Sequence, residues 1–128
     1  MKPVILDTNV ILRYLLKDNA QLYKQAVILL SPVKSGTAKA HVLEGVLVEC
    51  VYVLLKVYSV SRQEIVSALT GLLNYPGVVN SDKERQKQSL VLFRDYNVDI
   101  VDALIHVTAT ENNWEIASFD RDLRKLKR

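Results

Sequence analysis

Val4-Ile5-Leu6-Asp7-Thr8-Asn9 passes from three apolar residues straight into Asp-Thr-Asn. A short continuous apolar run of this kind suits a strand buried on both faces of a parallel sheet. The residues that end it favour turns and helix N-caps. The stretch therefore predicts a strand feeding a helix, with Asp7 at the junction.

The same alternation continues outward from there. Val10 to Lys17 is expected to be helical and is broken by Asp18-Asn19. Ala20 to Leu30 follows as a second helix, with Leu22, Ala26, Leu29 and Leu30 close to one face. Ser31-Pro32 is expected to stop that helix, leaving Lys34-Ser35-Gly36 as loop. Thr37 to His41 is a short strand. Val42 to Tyr58 is a long helix, apolar on nearly every side and therefore central. Ser61-Arg62-Gln63-Glu64 is a capping-box pattern that opens a helix ending near Asn74. Tyr75-Pro76-Gly77 makes a turn, and Val78-Val79 a short strand. Asp82 to Tyr96 carries Leu90, Leu92 and Phe93 among many charges, as a surface helix does. A helix from Asp99 to Asn112-Asn113, a strand from Trp114 to Ser118 and a short helix from Arg121 to Lys127 complete the chain.

Strands alternating with helices imply right-handed crossovers. The fold class is α/β, with a central, mostly parallel sheet of four or five short strands flanked by helices on both faces. At 128 residues, without repeat, linker or low-complexity tract, residues 1–128 are expected to form one domain. The hydrophobic share of 49% with only 7% aromatics makes the core one of Val, Leu, Ile and Ala, with apolar surface left for a partner. A net charge of +3 tolerates a polyanion without demonstrating one. The single cysteine, Cys50, excludes an intrachain disulfide framework and reads as a small core residue. Val46 to Leu55 is too short to span a bilayer, and no secretion signal is apparent, so the expected compartment is the cytoplasm, with no membrane partner.

Ligands of open parallel sheets bind outside the carboxyl ends of the strands. Asp7 follows the first strand there, and Asp120 follows the last. Asp102 lies in the first turn of the preceding helix, and Glu49 within the central one. Helix capping is the ordinary account of Asp7, of the pair Asp99 and Asp102, and of Asp120 with Asp122 beside it. Glu49 resists such an account. It is the polar residue among Val46, Leu47, Val48, Cys50, Val51, Val53, Leu54 and Leu55, and no Lys or Arg stands one helical turn away. A carboxylate buried there costs several kcal/mol unless paired or bound to a cation, so Glu49→Gln is expected to preserve or raise metal-free stability. An oxygen-only cluster suits Mg²⁺ or Mn²⁺, and it argues against structural zinc. Such a site can activate water and stabilise a leaving oxygen in phosphodiester hydrolysis. His106, among Leu104, Ile105 and Val107, reads as a packing residue, and His41 is given no role.

Four segments in register resemble the PIN-domain ribonucleases, most closely the VapC-type toxins of toxin–antitoxin pairs. They are Ile5-Leu6-Asp7-Thr8-Asn9, Val46 to Leu54 around Glu49, Val98-Asp99-Ile100-Val101-Asp102-Ala103-Leu104-Ile105, and Ala117-Ser118-Phe119-Asp120-Arg121-Asp122-Leu123. The resemblance implies that Asp7, Glu49, Asp102 and Asp120 bind Mg²⁺, with Mn²⁺ as a substitute, and that Asp122 can share the role of Asp120. It makes Asn9 and Ser118 polar supports and Asp99 an auxiliary acid. It also implies RNA hydrolysis by a metal-activated water, a homodimer, and inhibition by a small antitoxin. Glu44, five residues before Glu49, points about 140° away from it and lies outside the pattern. The apolar helices near the N-terminus and around Ile65 to Leu73 are candidate partner surfaces. Arg121, Arg124, Lys125, Lys127 and Arg128 form a candidate basic rim for RNA, a solvated terminus being their ordinary account.

Other families fit less well. A haloacid-dehalogenase-like phosphatase wants an Asp where Asn9 stands, and a receiver-like domain wants a Lys ending a late strand. The non-enzymatic alternative is a PIN-like domain that binds RNA or a partner without cutting.

Overall fold

β1 (Val4–Ile5) and β2 (Ala40–His41) run parallel, Val4 opposite Ala40 and Ile5 opposite His41. Val4 N donates to Lys39 O and Leu6 N to His41 O, each at 3.0 Å. One further parallel bridge joins Ala40 to Val78. The computed structural model describes residues 2–119, Leu123 and Leu126, and no other strand pairing occurs among them. The ladder is thus shorter than the expected four or five strands. A strand exists only where its N–H and C=O groups meet a partner backbone. Of Thr37 to Lys39 only the Lys39 carbonyl joins the ladder, Val78 contributes a lone bridge, and Trp114 to Ser118 pair with no strand among the described residues. Trp114 N donates instead to Ala109 O at 2.9 Å, at the end of a helix. Nor is β1 buried on both faces, since Val4 and Ile5 are both exposed.

The described chain divides into two compact units, Met1–Ser81 and Asp82–Arg128. In the first, α1 (Thr8–Leu16) and α2 (Ala20–Ser35) pack as a hairpin, and α1 also packs on α3 (Glu44–Tyr52). Lys17, at φ 55°, closes α1 in the left-handed conformation. Asn19 caps α2 by accepting from Leu22 N at 3.0 Å. Contrary to expectation, Pro32 does not end α2. A proline withdraws its own donor and crowds the carbonyl four residues back, yet the helix runs on past it to Ser35, and the carbonyls of Pro32 and Val33 are engaged. Pro32 O accepts from Ala38 N at 3.1 Å and from the hydroxyls of Ser35 and Thr37 at 3.1 and 3.3 Å. The stop comes at Gly36, whose φ of 86° suits glycine.

The central helix continues from α3 through a π-helical turn, Val53–Val57, closed by Tyr58 N on Val53 O at 3.2 Å. It is not apolar all round. Leu47, Cys50, Val51 and Leu54 are buried, whereas Gly45, Glu49 and Tyr52 lie on its exposed side. α4 (Arg62–Leu73) opens as the sequence predicts: Ser61 Oγ accepts from Glu64 N and donates to Glu64 Oε1, both at 3.1 Å. Its apolar stripe, Ile65, Val66, Leu69, Leu72 and Leu73, is fully committed to the interior and offers no partner surface.

In the second unit, α5 (Lys83–Asp95) packs along α6 (Ile100–Asn112). Leu90, Phe93, Ile100 and Leu104 are buried, and Arg85 Nε bonds Glu111 Oε2 at 2.9 Å. Val98, Ala103 and Leu126 form a buried cluster against Leu92 and Tyr96. No helix of the described residues is long and apolar enough to cross a membrane.

Candidate functional site

Asp7 stands where β1 gives way to α1, with the extended backbone of an N-cap residue. Its carbonyl accepts the first bond of the helix, from Ile11 N at 3.2 Å. Its carboxylate makes no cap hydrogen bond. The ordinary account of this aspartate therefore does not hold. The side chain is exposed and has no hydrogen-bond or ion-pair partner among the described residues.

Glu49 corrects the expectation of a buried acid. It sits on the exposed side of α3, so the surrounding apolar residues face inward without it. The desolvation argument for a cation falls with that finding. What replaces it is proximity. Cys50, fully buried, has its thiol pushed up to about 12, first by burial and then by the negative charges of Glu49 and Asp7. Asp7 stands at the start of α1 and Glu49 on α3, and these two helices pack together. A divalent cation can bridge carboxylates that lie near one another. Mg²⁺ takes one or two carboxylates and keeps several waters, so two exposed, unpaired carboxylates fit its demands. Among the described residues, no group of three or more His, Cys, Asp or Glu is arranged to hold a metal ion.

Because Glu49 is exposed, Glu49→Gln is expected to leave metal-free stability within about 0.5 kcal/mol of the parent. Mn²⁺ affinity should fall in the same variant. Calorimetric melting without metal, beside Mn²⁺ titration, checks both. Cys50 itself is expected to resist iodoacetamide at pH 8 in the folded protein and to react fully in urea. Rapid native alkylation, read by mass spectrometry, would contradict its burial.

In the other unit, Asp99 is the N-cap of α6 and accepts from Val101 N at 2.8 Å. Capping does account for this acid. Asp102 lies in the first turn of the same helix and is 8% exposed, one of few buried polar residues. Asn9, near the start of α1, is exposed, as is Ser118. Glu44 is exposed in the first turn of α3. Asp120, Asp122 and the basic residues Arg121, Arg124, Lys125, Lys127 and Arg128 lie outside the described residues.

The PIN-domain family model matches residues 4–128. The chain belongs to the PIN-domain family. PIN domains are in general metal-dependent nucleases, and PIN nucleases act on RNA. No curated protein matches the chain. Two further features of this PIN domain lie on or beside its first two helices, the first of them on the surface named as a candidate for partners. One is a groove of ≈ 510 Å³ lined by Asn9, Val10, Arg13, Leu22, Gln25, Ala26 and Leu29. The other is a cluster of Tyr14, Tyr23 and Tyr75. Tyr14 and Tyr75 are 61 positions apart, a juxtaposition no local pattern signals.

Proposed function

We propose that this PIN domain is a Mg²⁺-dependent endoribonuclease and the toxin of a VapBC-type toxin–antitoxin pair. The observation that carries the reading is the pair Asp7 and Glu49, two exposed carboxylates without partners among the described residues, one at the start of α1 and one on α3, which pack together. Neither serves a structural purpose that would account for it. Family membership supports the nuclease part. The four proposed ligands are Asp7, Glu49, Asp102 and Asp120, with Mn²⁺ as an alternative to Mg²⁺ and Asp122 able to share the place of Asp120.

When bound, Mg²⁺ supplies Lewis-acid stabilisation of phosphate charge and lowers the pKa of water. The chain's own residues contribute the setting. Asp7 and Glu49 offer hard oxygen donors from two helices of one unit. Asp99 holds the first turn of α6, in which Asp102 lies, through its bond to Val101 N. Asn9 and Ser118 are the proposed polar supports beside the acidic cluster.

A homodimer and a small antitoxin partner belong to the same proposal. The groove between α1 and α2 supports it, because Leu22 and Leu29 remain exposed on its wall and would be buried by an apolar segment. The function is tested by incubating purified protein with a mixed RNA pool in Mg²⁺, in Mn²⁺ and in EDTA. Cutting in both metals and none in EDTA is expected. Cleavage that persists in EDTA would overturn the metal-dependent reading, and a folded protein that cuts under no condition would favour a binding role.

A further inference from the structure

The α1–α2 hairpin carries a marked excess of positive charge. Between Thr8 and His41 stand Arg13, Lys17, Lys24, Lys34 and Lys39, against the single acid Asp18. That acid is taken, since Arg13 Nη1 bonds both its oxygens at 2.9 and 2.7 Å. Two of the lysines are also fixed in place. Lys17 Nζ lies 5.5 Å from the centre of the Tyr23 ring, and Lys34 Nζ lies 5.8 Å from the centre of Tyr75. Tyr14 ties the two rings together, stacked on Tyr23 at 6.3 Å and edge-on to Tyr75 at 6.4 Å. The Tyr14 and Tyr75 hydroxyls share a hydrogen bond of 2.7 Å. Neither ammonium pairs with a carboxylate among the described residues.

Ordinary surface lysines are mobile, and holding one against a partner costs rotamer entropy. Here that cost is already met within the folded chain, by contact with half-buried rings. Ammonium groups held without an ion-pair partner, on a stretch whose single acid is engaged, suit a polyanion. The helix rise also places them usefully. Tyr14 and Lys17 follow Asp7 along α1 by about 10–15 Å, a distance that a single strand spans in a few nucleotides.

We propose that Lys17 and Lys34, held over Tyr23 and Tyr75, bind the phosphate backbone of single-stranded RNA beyond the cut site. The inference rests on the ribonuclease reading for its ligand but not on catalysis. It assigns this surface to substrate hold, with sequence choice left to other contacts.

The test is binding without turnover. A fluorescein-labelled single-stranded RNA of mixed sequence is titrated with the full chain in EDTA over a range of salt, by fluorescence anisotropy. The paired variant K17Q/K34Q is expected to lose affinity roughly tenfold near 0.1 M salt. Its slope of log affinity against log salt should be shallower by about 0.7 for each lysine removed. K17R/K34R, which keeps both charges, should retain most of the affinity, and Lys87→Gln on α5 should change little. Circular dichroism and melting establish that each variant is folded. A parent that binds RNA while K17Q/K34Q matches it in affinity and slope overturns the inference alone, and would leave the patch to an acidic protein surface. A parent that binds no RNA overturns it together with the RNA reading. An equal loss in Lys87→Gln overturns it as well, by making the effect one of net charge.

Discussion

Replacing Asp7 by Asn is expected to abolish metal-dependent RNA cleavage while leaving the fold intact. The two halves of that expectation have separate grounds. Stability should change by no more than about 0.5 kcal/mol, because the Asp7 carboxylate is exposed and makes no cap bond. The first bond of α1, from Ile11 N to the Asp7 carbonyl, is a backbone bond that the amide variant keeps. Activity should fall by at least ~100-fold, the scale on which removal of a group that stabilises transition-state charge is felt. Asn keeps the shape and one oxygen but withdraws the negative charge that a hard cation needs. Cleavage of labelled RNA by parent and variant, beside their melting curves, separates the outcomes. Full activity in a folded Asp7→Asn protein would remove Asp7 from the proposed mechanism.

Gly77→Ala should be the most damaging conservative change to stability, at about 3 kcal/mol. Gly77 packs where the end of α2 meets the entry to β2. A Cβ at this position would overlap the carbonyl oxygen of Ala38 and lie 2.8 Å from Val33 Cα. Both obstacles are backbone, and the glycine cannot retreat without cost. Its N–H donates to Val33 O at 2.8 Å, and its carbonyl accepts from Ala40 N at 2.7 Å. The second bond forms part of the bridge between Ala40 and Val78, so relaxation would disturb the sheet itself. Gly45 and Gly71 are internal controls, since a Cβ meets nothing within 4 Å at either. Alanine in those helices should be neutral or stabilising by up to ~1 kcal/mol. Urea unfolding of the three variants provides the comparison. A loss at Gly77 below ~1 kcal/mol would show that the turn yields more easily than its hydrogen bonds suggest.

The helices were largely legible because their signals are local. Ser61 with Glu64, Asn19 before α2 and Asp99 before α6 all act within one turn, and each caps as its residue type predicts. The sheet was less so, because a short apolar run carries no mark of its partner. Val78 makes one bridge, and Trp114 to Ser118 pair with no strand in the described residues. Pro32 reads as a stop in the sequence, but α2 runs on to Ser35, and the residues that engage the Pro32 carbonyl lie beyond it. Among the candidate site acids, the sequence sets only Glu49 apart from ordinary capping, and it does so for a reason the structure corrects. Glu49 seemed buried because its sequence neighbours are apolar, whereas a helix can turn one side outward. Asp102 was expected in a first turn and is found there, buried. The tyrosine cluster escaped notice entirely, because Tyr14, Tyr23 and Tyr75 meet only through the packing of distant segments.

Binding of Mn²⁺ followed by electron paramagnetic resonance bears most directly on the proposal that Asp7 and Glu49 hold a divalent cation. The free-ion signal should fall as the parent protein is added, recover in part with Asp7→Asn or Glu49→Gln, and recover almost fully with both. Mg²⁺ in excess should displace the bound Mn²⁺ from the parent. Undiminished Mn²⁺ binding by a folded D7N/E49Q protein would contradict the assignment and place the metal elsewhere in the chain.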